Sequence, residues 1–101
     1  MTAPKRTDRR PPTHPGAFFR EIVLPALPVS KAEAARALGI SRHTLYQLLR
    51  EKTRVTPEMA LRLGKLCGDG PEIWLAMQSK HDLWQARRSV DVSAIPTLSA
   101  A

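Results

Sequence analysis

Apolar residues recur at helical spacing through the middle of the chain and thin out towards both ends. Between Ser30 and Leu49, the run SKAEAARALGISRHTLYQLL places Ala34, Ala35, Leu38, Ile40, Leu45 and Leu48 where two short helices joined by a tight turn would bury them. Ala35 is small where the second of these helices has to cross closely. Gly39 marks the turn, because without a Cβ it takes positive φ at no steric cost. Ser30 and Glu33 have the S-x-x-E spacing of a capping box, and Ser41 stands where it can cap the second helix.

The same pattern predicts a helix on one side of this pair and two on the other. A first helix is expected to start near Gly16 and to bury Phe18, Phe19, Ile22 and Val23, with Pro25 and Pro28 ending it or forcing an irregular turn. Thr56 followed by Pro57 is a helix start signal, and Ala60, Leu63, Leu66 and Cys67 then recur until Gly68. A last helix is expected from Pro71 to about Arg88, with Ile73, Trp74, Met77, His81 and Trp84 as its apolar stripe. No segment alternates with period two for long enough to make a core strand. The expected architecture is an all-α bundle of five helices over residues 14–88. Residues 1–13 hold Lys5, Arg6, Arg9 and Arg10 among three prolines and read as a disordered basic arm. Residues 89–101 read as a flexible tail, in which VDVSAI would become a short strand only on finding a partner.

Composition narrows the class of partner. The chain has 101 residues, which suits one domain with one modest core. A net charge of +7 and a pI near 10.5 point to a polyanion. Nucleic acid fits better than a membrane, since no apolar run approaches the ~20 residues needed to span a bilayer. The basic N-terminus runs into prolines rather than an apolar signal core, so no secretory signal is expected. The single cysteine, Cys67, cannot form an internal disulfide, and a reducing cytoplasm is the simplest setting.

The helix after Ser41 carries the candidate chemistry. It presents Arg42, His43, Thr44, Tyr46 and Gln47, a face rich in hydrogen-bonding side chains beside a tight turn, as reading the DNA major groove requires. The plainer alternative is a helical hairpin whose outer face is merely wet. Enzymatic chemistry is not expected: no carboxylate pair is placed with a nucleophile, and no glycine-rich phosphate loop occurs. His14, His43 and His81 have no ligand-like spacing to one another or to Cys67, so neither a metal nor another cofactor is expected. His81 reads as a packed, hydrogen-bonded residue and Cys67 as a small core residue. Trp74 and Trp84 read as core or dimer contacts. The broad apolar face of the last helix, with both tryptophans, Met77 and Leu83, leaves room for a second subunit.

The motifs in order resemble a known family. His14-Pro15-Gly16, the helix-turn-helix, Thr56-Pro57-x-Met59-Ala60-x-Arg62-Leu63 and Pro71-Glu72-x-Trp74-Leu75 together look like the HigA-type antitoxins of the Xre/Cro-like helix-turn-helix group. The resemblance spans roughly His14 to Ala86. Ala17 replaces the glutamate usual in the family, and Pro25 to Val29 is more proline-rich than the family's turn. The resemblance implies an antitoxin that binds a RelE-like messenger-RNA-cleaving toxin and represses its own operon. A stand-alone repressor, or an interaction module that keeps the fold without reading DNA, are the alternatives. It further implies that the start of the third helix faces base edges. Arg42 would then pair with guanine and Gln47 with adenine, with single hydrogen bonds from His43 and Thr44. Lys31, Tyr46, Arg50, Lys52 and Arg54 would hold the DNA backbone. A homodimer on a pseudo-palindromic site completes the expectation.

Overall fold

The computed structural model describes residues 11–99, and most of the expected basic arm lies outside them. The described residues form five helices and no strand. The first helix, α1, is continuous but changes pitch: α-helical over Pro15–Phe18, π-helical over Phe19–Val23, and α-helical again over Leu24–Ala26. It is followed by α2 (Lys31–Leu38), α3 (Arg42–Leu49), α4 (Pro57–Cys67) and α5 (Glu72–Ser89).

The wide turn in α1 has a local cause. Pro25 has no N–H to give to the carbonyl one turn back, and its ring crowds that carbonyl. The helix loosens just before it, with Leu24 N–H reaching back to the Phe19 carbonyl. One extra residue per turn rotates the downstream side chains by about 100°. Ile22, expected in the core, is therefore 59 % exposed, while Phe19 and Leu24 are buried. A similar correction applies to α5. Ile73, placed on the buried stripe by periodicity, is 47 % exposed, and Gln78 is buried in the face led by Trp74.

Small core side chains allow the short helices to cross closely. Phe19, Leu24, Ala34, Ala35, Leu38, Leu45, Leu48, Leu49, Val55, Ala60, Leu63 and Trp74 form one buried cluster. Both Phe18 and Phe19 meet the Trp74 ring edge-on, at 5.6 and 6.1 Å between centroids. The Trp74 indole N–H donates to Asp69, so its polar edge is satisfied. Gly16 lets α1 touch the end of α3: a Cβ there would lie 1.9 Å from the Leu48 carbonyl oxygen. His14 caps α1, its Nδ1 accepting the Gly16 N–H at 2.9 Å.

Candidate nucleic-acid interface

The α2–α3 pair is capped at both starts and turned by Gly39. Ser30 accepts the Glu33 N–H while Glu33 accepts the Ser30 N–H, the complete capping box. Hydrogen bonds from the Ser30 backbone N–H and from the Ser30 side chain hold the Glu33 carboxyl below its usual range. Gly39 sits at φ 75°, and Ile40 N–H reaches the Ala35 carbonyl at 3.0 Å, closing a Schellman turn. Ser41 caps α3 by accepting the Thr44 N–H at 3.0 Å.

Packing decides which side of α3 is outward. Leu45, Leu48 and Leu49 are buried, and Arg42 and His43 are exposed. Gln47 is half-buried and still reaches the surface. Thr44 is more constrained than the sequence suggests: it is half-buried, and its Oγ1 accepts a hydrogen bond from Ser41 Oγ at 2.9 Å. Its hydroxyl proton remains available, so Thr44 is oriented to donate.

The residues expected on the DNA backbone fall into two groups. Lys31 and Tyr46 are brought together, with the Lys31 ammonium 6.0 Å from the Tyr46 ring centroid. They line one shallow cleft with Arg20, Leu49 and Arg50, so three cations converge beside α3. Lys52 is exposed on the loop after α3. Arg54, on the same loop, is turned instead to α5, where its Nε donates to Asp82 at 2.8 Å.

Two arginines, Arg20, which sequence reasoning did not single out, and Arg62, which it named only within a motif, hold the ends of the α2–α3 pair. Arg20 of α1 donates to the Leu49 carbonyl at 2.6 Å and also pairs with Glu21 and Glu51. Its hydrogen bond to Glu21, ahead of the opposing cost of burial, raises its already high pKa. Arg62 of α4 donates to the Leu38 carbonyl at 2.8 Å, at the turn itself, and pairs with Glu58. Both satisfy carbonyls that a helix end leaves without partners. Spacing gives no hint of either, because each links positions more than 20 residues apart.

The loop from Glu51 to Val55 is fixed to the rest of the bundle. Glu51 has φ 60°, a left-handed conformation unusual for a residue with a side chain. Val55 N–H donates to Gln78 Oε1 at 2.7 Å, and Gln78 Nε2 donates to Asp82 Oδ1 at 3.0 Å. Burial works against the charge on Asp82, but hydrogen bonds from Arg54 and Gln78 outweigh it and lower its pKa. His14 and His81 stack edge to face at 5.0 Å beneath this loop. His81 Nδ1 donates to the Pro12 carbonyl at 2.8 Å, so Pro12, expected in the loose arm, lies against α5. Burial, then the nearby His81, pushes the His14 pKa down.

The other candidates are structural. Trp74 is fully buried, and Trp84 is half-buried with Arg88 4.8 Å from its ring centroid. Cys67 is half-buried against the core, and burial raises its thiol pKa. Among the described residues, no three His, Cys, Asp or Glu side chains are grouped to hold a metal ion. None of the described helices is long and apolar enough to cross a membrane.

Comparison with known proteins gives a consistent picture. Residues 27–75 match the family model described as Helix-turn-helix. The uncharacterized HTH-type transcriptional regulator YddM of Escherichia coli is 40 % identical over 84 residues, covering 83 % of this chain and 88 % of that protein. The structure of antitoxin GraA in complex with its operator superposes with a TM-score of 0.79 at 36 % identity, over 90 % of this chain and 94 % of that one. The Pseudomonas aeruginosa antitoxin HigA with the higBA promoter superposes with a TM-score of 0.75 at 30 % identity, over 86 % of this chain and 99 % of that one.

Proposed function

We propose that this chain, which belongs to the Xre-like helix-turn-helix family of HigA-type antitoxins, represses its own operon by reading operator DNA and neutralises a RelE-like messenger-RNA-cleaving toxin. The observation that carries the reading is the outward face of α3. Arg42, His43 and Gln47 reach the surface of a helix capped by Ser41 and held at its end by Arg20, while Arg62 fixes the turn that leads into it. A rigid, polar helix edge is what major-groove readout needs, because each base contact depends on a side chain arriving at a fixed position. Arg42 pairs with guanine, Gln47 with adenine, and His43 and Thr44 supply single hydrogen bonds. Lys31, Tyr46, Arg50 and Lys52 hold phosphates on either side of the groove, and Arg54 joins them on leaving Asp82.

Two further parts of the reading concern assembly. The chain acts as a homodimer on a pseudo-palindromic operator. Leu83, Val90, Val92, Ile95 and Leu98 are all exposed along the end of α5 and the segment after it, apolar side chains that a second subunit would cover. The toxin binds away from α3, so that operator and toxin are held together. The protein is at work in the cytoplasm, where both partners are.

Co-expression with a small basic protein, if one is encoded beside this chain, tests the pairing, and the absence of such a neighbour would favour a stand-alone repressor. Growth arrest by that protein, relieved by this chain, is the expected result. An arrest that this chain does not relieve would leave a stand-alone repressor.

A further inference from the structure

We propose that Asp82 competes with DNA phosphate for Arg54 and so attenuates the sequence-independent part of DNA binding. This rests on the reading of the loop after α3 as a surface that meets the DNA backbone. The loop concentrates cations: Arg50, Lys52 and Arg54 alternate along it, all exposed. The structure opposes this charge from two sides. Glu51, between Arg50 and Lys52, is held by Arg20 of α1. Arg54 donates through Nε and Nη2 to one oxygen of Asp82, an acid supplied by α5.

The carboxylate is fixed in place before any DNA arrives. Its other oxygen accepts from Gln78 Nε2, and Gln78, 2 % exposed, is locked by the Val55 N–H. Asp82 is therefore tied to the backbone of the loop whose arginine it holds. Arg54 is not tied in the same way. Its side chain is 64 % exposed against 33 % for Asp82. An exposed pair of this kind is weak, and a phosphate oxygen can accept from the same two guanidinium N–H groups. Arg54 can exchange one anion for the other, but Asp82 holds it off the phosphate in most bound molecules, so the wild-type chain neutralises about one phosphate fewer than its cations allow. A loop with this much charge would otherwise grip any duplex.

Asp82→Asn tests the inference, because asparagine keeps the Gln78 contact through its carbonyl while losing the charge that holds Arg54. The measurement is fluorescence anisotropy of the full chain on operator and on random duplex across a salt series. Far-ultraviolet circular dichroism verifies that the variant is folded. The expected result is tighter binding to both duplexes by the same factor, with a salt slope steeper by about 0.9. Between about 50 and 200 mM salt the variant then loses about 3.5-fold more affinity than the wild type. In an Arg54→Ala background, Asp82→Asn should change neither quantity. An unchanged salt slope in Asp82→Asn would overturn the inference, and so would a steepening that persists without Arg54, which would be a general charge effect. A wild-type chain that binds no duplex at all would instead overturn the DNA reading beneath it.

Discussion

At the scale of single residues, the side chains of α3 and the loop after it should divide into those that specify and those that attach. Arg42→Ala should cost about 1 to 3 kcal/mol on operator and little on random DNA, because a bidentate base contact is lost. Lys52→Ala should weaken both duplexes alike and flatten the salt slope by about one unit. Titrations of the two variants on both duplexes separate the roles. Equal weakening of both by Arg42→Ala would remove Arg42 from base reading. The outward position of Arg42 and His43 is legible from periodicity, since their neighbours Leu45 and Leu48 are the buried ones. The engagement of Thr44 with Ser41 and of Arg54 with Asp82 is not, because both depend on where side chains meet after folding.

His14 gives the residue scale a pH dependence. Its Nδ1 is an acceptor for the Gly16 N–H, and its other nitrogen faces the Thr53 carbonyl, so only the neutral ring satisfies both. Burial and His81 lower its folded pKa below 6.5, with Glu51 and Asp82 opposing. The unfolded chain therefore binds the proton more readily. The stability that neutral His14 contributes is full above pH 6.5 and is lost as pH falls through the lower folded value. His14→Asn keeps an acceptor for Gly16 without titrating, and should flatten thermal stability between pH 7 and about 5 relative to wild type. A stability curve of unchanged steepness would mean that other groups carry the acid sensitivity.

At the scale of elements, local chemistry sets the starts and stops of helices. Ser30 with Glu33, Thr56 with Pro57, and Gly39 and Gly68 in the left-handed region all act where the chain itself signals them. Interiors are less legible. Nothing before Pro25 announces a π turn, and the rotation it causes is what exposes Ile22. Gln78 escapes periodicity because a polar residue on an apolar face is usually outward, yet here it satisfies Val55 N–H. Gln78→Leu should cost about 1 to 3 kcal/mol by orphaning that donor. Gly16→Ala should cost a similar amount, about 1 to 3 kcal/mol, by driving α1 off the Leu48 carbonyl. Urea denaturation measures both. A Gly16→Ala variant as stable as wild type would show that the α1–α3 approach is not tight.

At the scale of the whole molecule, charge and symmetry set how the chain should meet DNA. A recognition helix reads only a few base pairs, so a two-fold dimer with half-sites about 34 Å apart is expected on the operator. Sedimentation of the free protein and of its DNA complex decides this, and a monomer in both would contradict it. Deleting residues 1–10, which spares the Pro12 contact with His81, should weaken operator binding and flatten its salt dependence. It should leave toxin neutralisation nearly unchanged, since a basic arm is not drawn to a basic toxin. Loss of neutralisation with intact DNA binding would assign the arm to the toxin.

The central claim is that α3 reads sequence. It is tested most directly by titrating the full chain against the duplex upstream of its own reading frame and against random duplex of equal length, at several salt concentrations. The account predicts a preference for the upstream duplex of about 10³-fold or more, with affinity for both falling linearly on a log–log plot against salt. Equal affinity for the two duplexes at every salt concentration would contradict it.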